Sequence, residues 1–280
     1  MKITETIKKR KSSRTYNQEY LKPEDKKALE EFISLNNKGL EGETIDLFIL
    51  EKREGEKKMK LAYGAIKGHN TYFLGKAKDN PATRLNYGYL MEKLVLKATE
   101  LGVSTCWVGY FDHDYFNDLE IGEGFVIPGL VVVGYAAEKT TLVERFMRNA
   151  VNASQRLPWD KLFFNYSSSA PLLPETLNMY DVAKSYEESL EMLRLAPSSS
   201  NSQPWRIFFD ESANEFHFYK KPKSKIYENM GMHELDLGIA MAHFELTSLS
   251  KGLTGVWTKH PKEQVTAFEE LQYMISWKCE

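Results

Sequence analysis

Three stretches of this 280-residue chain carry residue types suited to chemistry. The densest is Ala196-Pro197-Ser198-Ser199-Ser200-Asn201-Ser202-Gln203-Pro204-Trp205, where hydroxyls and amides crowd between two prolines. Such side chains bond to nearby backbone and hold irregular loops, and a loop so held can present polar groups to a ligand. A plain serine-rich connector is the alternative. The second stretch, Lys8-Lys9-Arg10-Lys11-Ser12-Ser13-Arg14, has five cations in seven positions. Arg10 and Arg14 offer forked donors that match a phosphate, and Ser12 and Ser13 add hydroxyl and backbone donors. A solvated basic face and a nucleic-acid patch compete with that reading. The third, Ser104-Thr105-Cys106-Trp107-Val108-Gly109-Tyr110, reads as a buried strand or turn in which Gly109 permits close backbone approach. Cys106 has no base beside it in sequence, so it and Trp107 are expected to pack in the core.

The elements around these stretches follow from pattern. Tyr186, Leu190 and Leu193 recur at helical spacing, and the helix stops at Pro197, because the residue before a proline is pushed out of the helical region. Arg206 to Phe209 is a short apolar run expected to form a buried strand. Upstream, Lys22 to Leu35 reads as a helix with Pro23 near its start. Ile45 to Leu50, Gly68 to Leu74 and Leu130 to Tyr135 read as strands. Asn80-Pro81 opens a long helix to Glu100, ended by Gly102. Its apolar residues cover more than one face, so a central, buried helix is predicted.

Composition excludes several classes. Apolar content of 42% and charged content of 27% are those of an ordinary soluble globular chain. A net charge of -2 and a pI near 6.4 give no global field for nucleic acid or anionic membrane. The basic run lacks interleaved aromatics and any nucleic-acid motif. No apolar signal core opens the chain, and the apolar stretch from Gly124 to Ala137 contains Pro128 and is too short for a bilayer. Two cysteines, Cys106 and Cys279, make neither a disulfide framework nor a metal cluster, so a cytoplasmic setting is expected. The six histidines lack ligand spacing, so no metal site is expected. Gly-x-Ser-x-Gly, phosphate-loop and dinucleotide fingerprints are absent.

The stretch from Pro197 to Trp205 resembles the flavin-contacting loop of the nitroreductase family of FMN enzymes. Arg10-Lys11-Ser12-Ser13-Arg14 is similar to that family's Arg-Arg-Ser-x-Arg opening. The resemblance implies that Arg10 and Ser12, with Lys11 in the same run, face the FMN phosphate and ribityl chain, and that Arg14 approaches the pyrimidine edge. It further implies that Val108 and Gly109 carry a backbone N–H facing the reactive flavin nitrogen. Pro197, Ser198, Ser199, Asn201 and Gln203 would hold the ring's plane and its hydrogen-bonding edge. Asn152 to Pro158 looks like the family's late basic segment, with Arg156 reaching the phosphate and Ser154 standing where a lysine is common; a surface arginine is the alternative.

Leu235 to Trp257 aligns with Leu85 to Trp107 at a constant offset of 150 residues, with identities at Leu85/Leu235, Gly88/Gly238, Met91/Met241, Leu96/Leu246, Gly102/Gly252 and Trp107/Trp257. An internal duplication is the better explanation. The basic opening stands only in the first half and the serine loop only in the second. The expected fold is therefore α+β and nitroreductase-like, a mixed sheet flanked by helices, duplicated as a single-chain pseudo-dimer. Residues 1–165 form its first half, 166–280 its second, with one flavin site per chain. A subgroup of the family first defined in thermophilic bacteria has this organisation. The resemblance implies an FMN-dependent oxidoreductase that takes electrons from NAD(P)H and passes them, ping-pong, to a nitroaromatic or quinone-like small molecule, with no side chain assigned a catalytic role. The rival readings are a flavin-binding protein without turnover and a degenerate, non-catalytic interaction protein. The chain is expected as a monomeric pseudo-dimer or a further homodimer, with no nucleic-acid or membrane partner.

Overall fold

The computed structural model describes residues 1–40, 42–52, 59, 61, 64–116, 119, 121–138, 155–223 and 225–280. They form two compact units. The first comprises Met1 and Lys8–Ser154; the second comprises Lys2–Ile7 and Gln155–Glu280.

The first unit holds α2 (Pro23–Leu35), β1 (Asp46–Glu51), β2 (Thr71–Lys78), α3 (Pro81–Glu100), β3 (Ser104–Val108), β4 (Phe125–Val126) and β5 (Leu130–Gly134). A helix α1 (Ile3–Lys9) precedes them. The sheet runs β1-β2-β5-β3, all pairs antiparallel, with β4 against β2. β5 is Leu-Val-Val-Val-Gly and wholly buried, as a central strand with both faces covered must be. β2 starts later than the sequence suggests. Gly68 has φ +72° and lies so close to the Tyr16 carbonyl that a Cβ would not fit, so Gly68 to Asn70 turn before the strand begins.

Helix α3 forms where expected. The Asn80 side chain accepts from Thr83 N–H at 2.9 Å, satisfying one of the helix's free amides, and Pro81 fills the first turn. The helix is buried nearly all round. Inside it the Tyr87 hydroxyl donates to the Gly129 carbonyl at 2.6 Å, and burial pushes the phenol's pKa up. Tyr87→Phe strands that carbonyl in the core and is expected to cost about 1–3 kcal/mol. Urea denaturation of the variant checks this.

The second unit holds β6 (Phe163–Asn165), α4 (Asp181–Ser185), α5 (Glu187–Arg194), β7 (Trp205–Asp210), β8 (Glu215–Lys220), α6 (Lys225–Asn229), α7 (Met232–Ser250), β9 (Gly255–Thr258) and β10 (Gln272–Cys279). Its sheet runs β6-β7-β8-β10-β9 and is mixed, since β6 pairs parallel with β7. One face packs on α7, where Phe216 and Phe218 meet Phe244.

The duplication is visible in the elements. β7-β8-β10-β9 repeats the order β1-β2-β5-β3, the fourth-placed strand each time following the long helix. α3 ends at Gly102 and α7 at Gly252, with φ +81° and +75°, and each chain then enters a strand. Trp107 donates to Glu92 on α3 at 2.7 Å, and Trp257 donates to Glu245 on α7 at 3.3 Å. The α+β fold with two related halves is thus as the sequence implies. The halves divide at 154/155, however, where the sequence reading places the division at 165. Phe163 to Asn165, too short to announce itself as a strand, pairs with Ile207 to Phe209 and so joins the second sheet.

Candidate flavin site

In the first unit the basic run leaves α1 and lies along β3. Ser12 bridges Thr105 in parallel, Ser13 N–H donates to the Thr105 carbonyl at 2.9 Å, and the Arg14 carbonyl accepts from Lys67 N–H at 2.9 Å. Three consecutive residues are therefore fixed by backbone bonds to core segments. Lys11 is exposed; Arg10, Ser12 and Arg14 are half-buried, and Ser13 is buried. Arg14 Nη1 is buried and has no hydrogen-bond partner. A buried guanidinium nitrogen left without an acceptor is costly, and it suits a site that receives an acceptor from a ligand. The same β3 carries Val108, buried at its end, with half-buried Gly109 next in the chain. Cys106 is in the core, as expected, whereas Trp107 is only half-buried.

In the second unit the serine-rich loop joins α5 to β7 under unusual backbone strain. Ser200, Asn201 and Gln203 have φ +49°, +54° and +48°, a region where non-glycine residues are uncommon. Each such residue costs of order 1–3 kcal/mol unless its surroundings over-determine it. Here they do. Asp236, in the second turn of α7, accepts from Ser199 N–H at 2.8 Å, Ser199 Oγ at 3.2 Å and Ser202 Oγ at 3.3 Å. Ser198 Oγ accepts from Gln203 N–H at 2.9 Å, and Gln203 Oε1 accepts from Leu157 N–H at 2.7 Å. Asn201 Nδ2 donates to the Gln155 carbonyl at 2.9 Å. Arg156 Nη1 donates to Asn201 Oδ1 at 3.2 Å and its Nη2 to the Leu195 carbonyl at 3.0 Å. The loop is a braced structure, and Pro197, Ser198, Ser199, Asn201, Gln203 and Arg156 all belong to it or to its bracing.

This locates the polar side chains differently from the sequence expectation. Ser198, Ser199, Gln203 and Arg156 hold the loop's shape with the bonds just described, so much of what the loop offers outward is backbone. Ser154, the position lacking the family lysine, lies outside the described residues, as does the start of its segment.

Asp236 is the residue sequence reasoning missed. It stands between Leu235 and Leu237 on an apolar helix and is fully buried. Burial raises its pKa to about 7; the three donors oppose that shift, and Glu234 adds to it. A carboxylate inside a hydrophobic run was the available signal. Nearby, Lys220 and Glu234 form a buried ion pair at 2.5 Å, and Arg206 Nη1 donates to the Gln203 carbonyl at 3.1 Å. Burial pushes the Arg206 guanidinium down to about 10, which leaves it charged at neutral pH.

The fold is that of the nitroreductases. A crystal structure of a "putative nitroreductase" from Thermotoga maritima matches with a TM-score of 0.62 at 20% identity, covering 99% of this chain and 94% of that one. The chain belongs to the TM nitroreductase family: the family model described as "Putative TM nitroreductase" matches residues 2–248. Two further crystal structures align with about half of the chain. A nitroreductase with bound FMN from Bacteroides fragilis covers 51% of this chain and 92% of its own at 19% identity and a TM-score of 0.42. A nitroreductase family protein from Clostridium novyi covers 49% and 87% at 21% identity and a TM-score of 0.41. Among curated proteins, none matches the chain. Among the described residues no helix is long and apolar enough to cross a membrane.

Proposed function

We propose that the chain is an FMN-dependent oxidoreductase that oxidises NAD(P)H and reduces nitroaromatic or quinone-like small molecules in a ping-pong cycle. The observation that carries the reading is the serine loop. It keeps three non-glycine residues in the left-handed region and braces them through Asp236, an expense that folding alone does not require. The unpartnered Arg14 Nη1 fits the same group, since a flavin's pyrimidine edge offers acceptors and takes up negative charge on reduction.

In this reading Arg10, Lys11 and Ser12 of the first unit bind the phosphate and ribityl chain, and Arg14 orients the pyrimidine edge. Val108 and Gly109 offer backbone N–H groups to the ring. In the second unit the loop from Pro197 to Gln203 fixes the ring plane through its braced backbone, and Arg156 keeps Asn201 in place. Bound FMN supplies the hydride chemistry. No side chain is assigned proton transfer. The two cysteines are free, which fits a reducing, cytoplasmic setting, and the duplicated chain is read as a monomer or a further homodimer.

The test is the visible spectrum of the purified protein, with released flavin identified and counted, followed by NAD(P)H oxidation with a quinone. One FMN per chain and turnover are the expected results. Failure to take up FMN from excess would overturn the assignment; bound FMN without oxidation of either nucleotide would leave a flavin-binding protein only.

A further inference from the structure

His217 and His260 share no ligand spacing in the sequence, yet the second unit brings both to Glu215. Glu215 and His217 lie two apart on β8 and so share a face of the sheet; His260 follows β9. Glu215 Oε2 is 2.6 Å from His260 Nε2 and 3.9 Å from His217 Nδ1, and one donor atom from each of the three residues lies within 4.8 Å of the others. Donors about 2.0–2.1 Å from a tetrahedral Zn²⁺ are separated by about 3.3 Å, so these spacings bracket what such an ion needs.

The surroundings are also those of a ligand set. Glu215 and His217 are buried, while His260 is partly exposed and leaves an access path. Burial lowers the pKa of His217, favouring the neutral imidazole that binds metals. Its Nε2 is buried without a hydrogen bond and lies 3.8 Å from Asp210 Oδ2. Asp210 is itself fixed, its Oδ1 accepting from Ser212 N–H, Ser212 Oγ and Ala213 N–H. A carboxylate behind the distal nitrogen of a histidine is the arrangement that orients metal-bound imidazoles. The Tyr166 ring packs against His217 with centroids 4.4 Å apart, and Tyr273 accepts from the His260 backbone N–H at 3.1 Å. A Glu–His ion pair alone would explain one imidazole. It does not explain the second, oriented toward the same carboxylate.

We propose that Glu215, His217 and His260 form a zinc-type divalent cation site, with Glu215 Oε2, His260 Nε2 and His217 Nδ1 as ligands and water completing the shell. The Ser276 hydroxyl, 2.7 Å from His217 Nδ1, turns aside or joins the shell. The ion would tie β8 to the segment after β9. The donor set of two imidazoles and one carboxylate suits Zn²⁺ and its first-row neighbours over Ca²⁺ or Mg²⁺.

The experiment is titration of chelator-treated protein with ZnCl₂ by calorimetry and with CoCl₂ by visible absorption. One equivalent of Zn²⁺ is expected to bind with a Kd of roughly 10 µM or tighter, and Co²⁺ to give the visible bands of a protein-ligated ion. His260→Ala, at a partly exposed position, should still fold and should lose at least about tenfold in affinity; His217→Asn should do the same. No uptake at about 100 µM Zn²⁺, or uptake unaffected by His260→Ala, overturns the site and leaves a hydrogen-bonded Glu215–His260 ion pair. Flavin content is unaffected in every arm, so the result is independent of the proposed function.

Discussion

Replacing Arg14 by methionine is expected to weaken FMN binding about 10- to 100-fold while leaving the flavin-free protein at least as stable as the parent. Both halves of that expectation come from one atom. Arg14 Nη1 is buried without a hydrogen-bond partner, so in the flavin-free chain it has lost water and gained nothing. Methionine keeps the aliphatic contacts of the arginine stem and removes the stranded donor. With FMN present the same guanidinium gains a charge-assisted bond, worth about 1.5–3 kcal/mol, that methionine cannot make. The measurement is a pair: flavin titration by fluorescence quenching, and thermal unfolding without flavin. A variant that binds FMN as tightly as the parent removes Arg14 from the site. A flavin-free variant that melts well below the parent makes Arg14 a structural residue instead.

Asp236→Ala should be the most damaging single change to the serine loop. It deletes the acceptor for Ser199 N–H, Ser199 Oγ and Ser202 Oγ and leaves the buried Ser199 amide without a partner, a loss of about 2–4 kcal/mol. The positive φ values at Ser200, Asn201 and Gln203 then lack their brace, so FMN affinity should fall together with stability. Asp236→Asn, which keeps one acceptor oxygen and cannot ionise, separates shape from charge. The wild-type carboxyl titrates at about 7 when folded and near 3.9 when unfolded. Between those values the folded state holds the extra proton. Its contribution is therefore fully present below about pH 4 and is lost as pH rises through about 7. Relative to Asp236→Asn, the wild type should lose stability over that window, by up to about 4 kcal/mol if the full shift is realised. Urea denaturation of both proteins at pH 5 and pH 8 tests it: parallel pH dependences would mean that Asp236 is not the titrating group.

The parts of the site that rest on local sequence chemistry were legible. Asn80, Pro81 and Gly102 bound a helix because capping and glycine termination act within a few residues. The loop after Pro197 announced itself by composition, and its division from Trp205 onward followed from an apolar run. The parts that rest on long-range pairing were not. Asp236 matters because α7 happens to lie against Ser199 and Ser202, a relation that no local pattern around position 236 encodes. Phe163 to Asn165 becomes a strand because β7 offers a parallel edge. Glu215, His217 and His260 meet because β8 and the end of β9 are both drawn to β10, which pairs with each. Even the roles inside the legible loop shifted, since composition names the polar side chains but not whether they face outward or hold one another.

The membership of the first helix has a consequence for how the chain is made. Lys2–Ile7 group with Gln155–Glu280, and the whole first unit lies between them in sequence. Synthesis releases those residues before any of their partners exist. The β1 to β5 sheet is built from one continuous stretch and can close as it emerges, whereas the second unit must recruit a segment across a loop as long as a domain. Assembly of the second unit is therefore the non-local, later event, and the amino-terminal residues stay unsatisfied until the ribosome has finished most of its work.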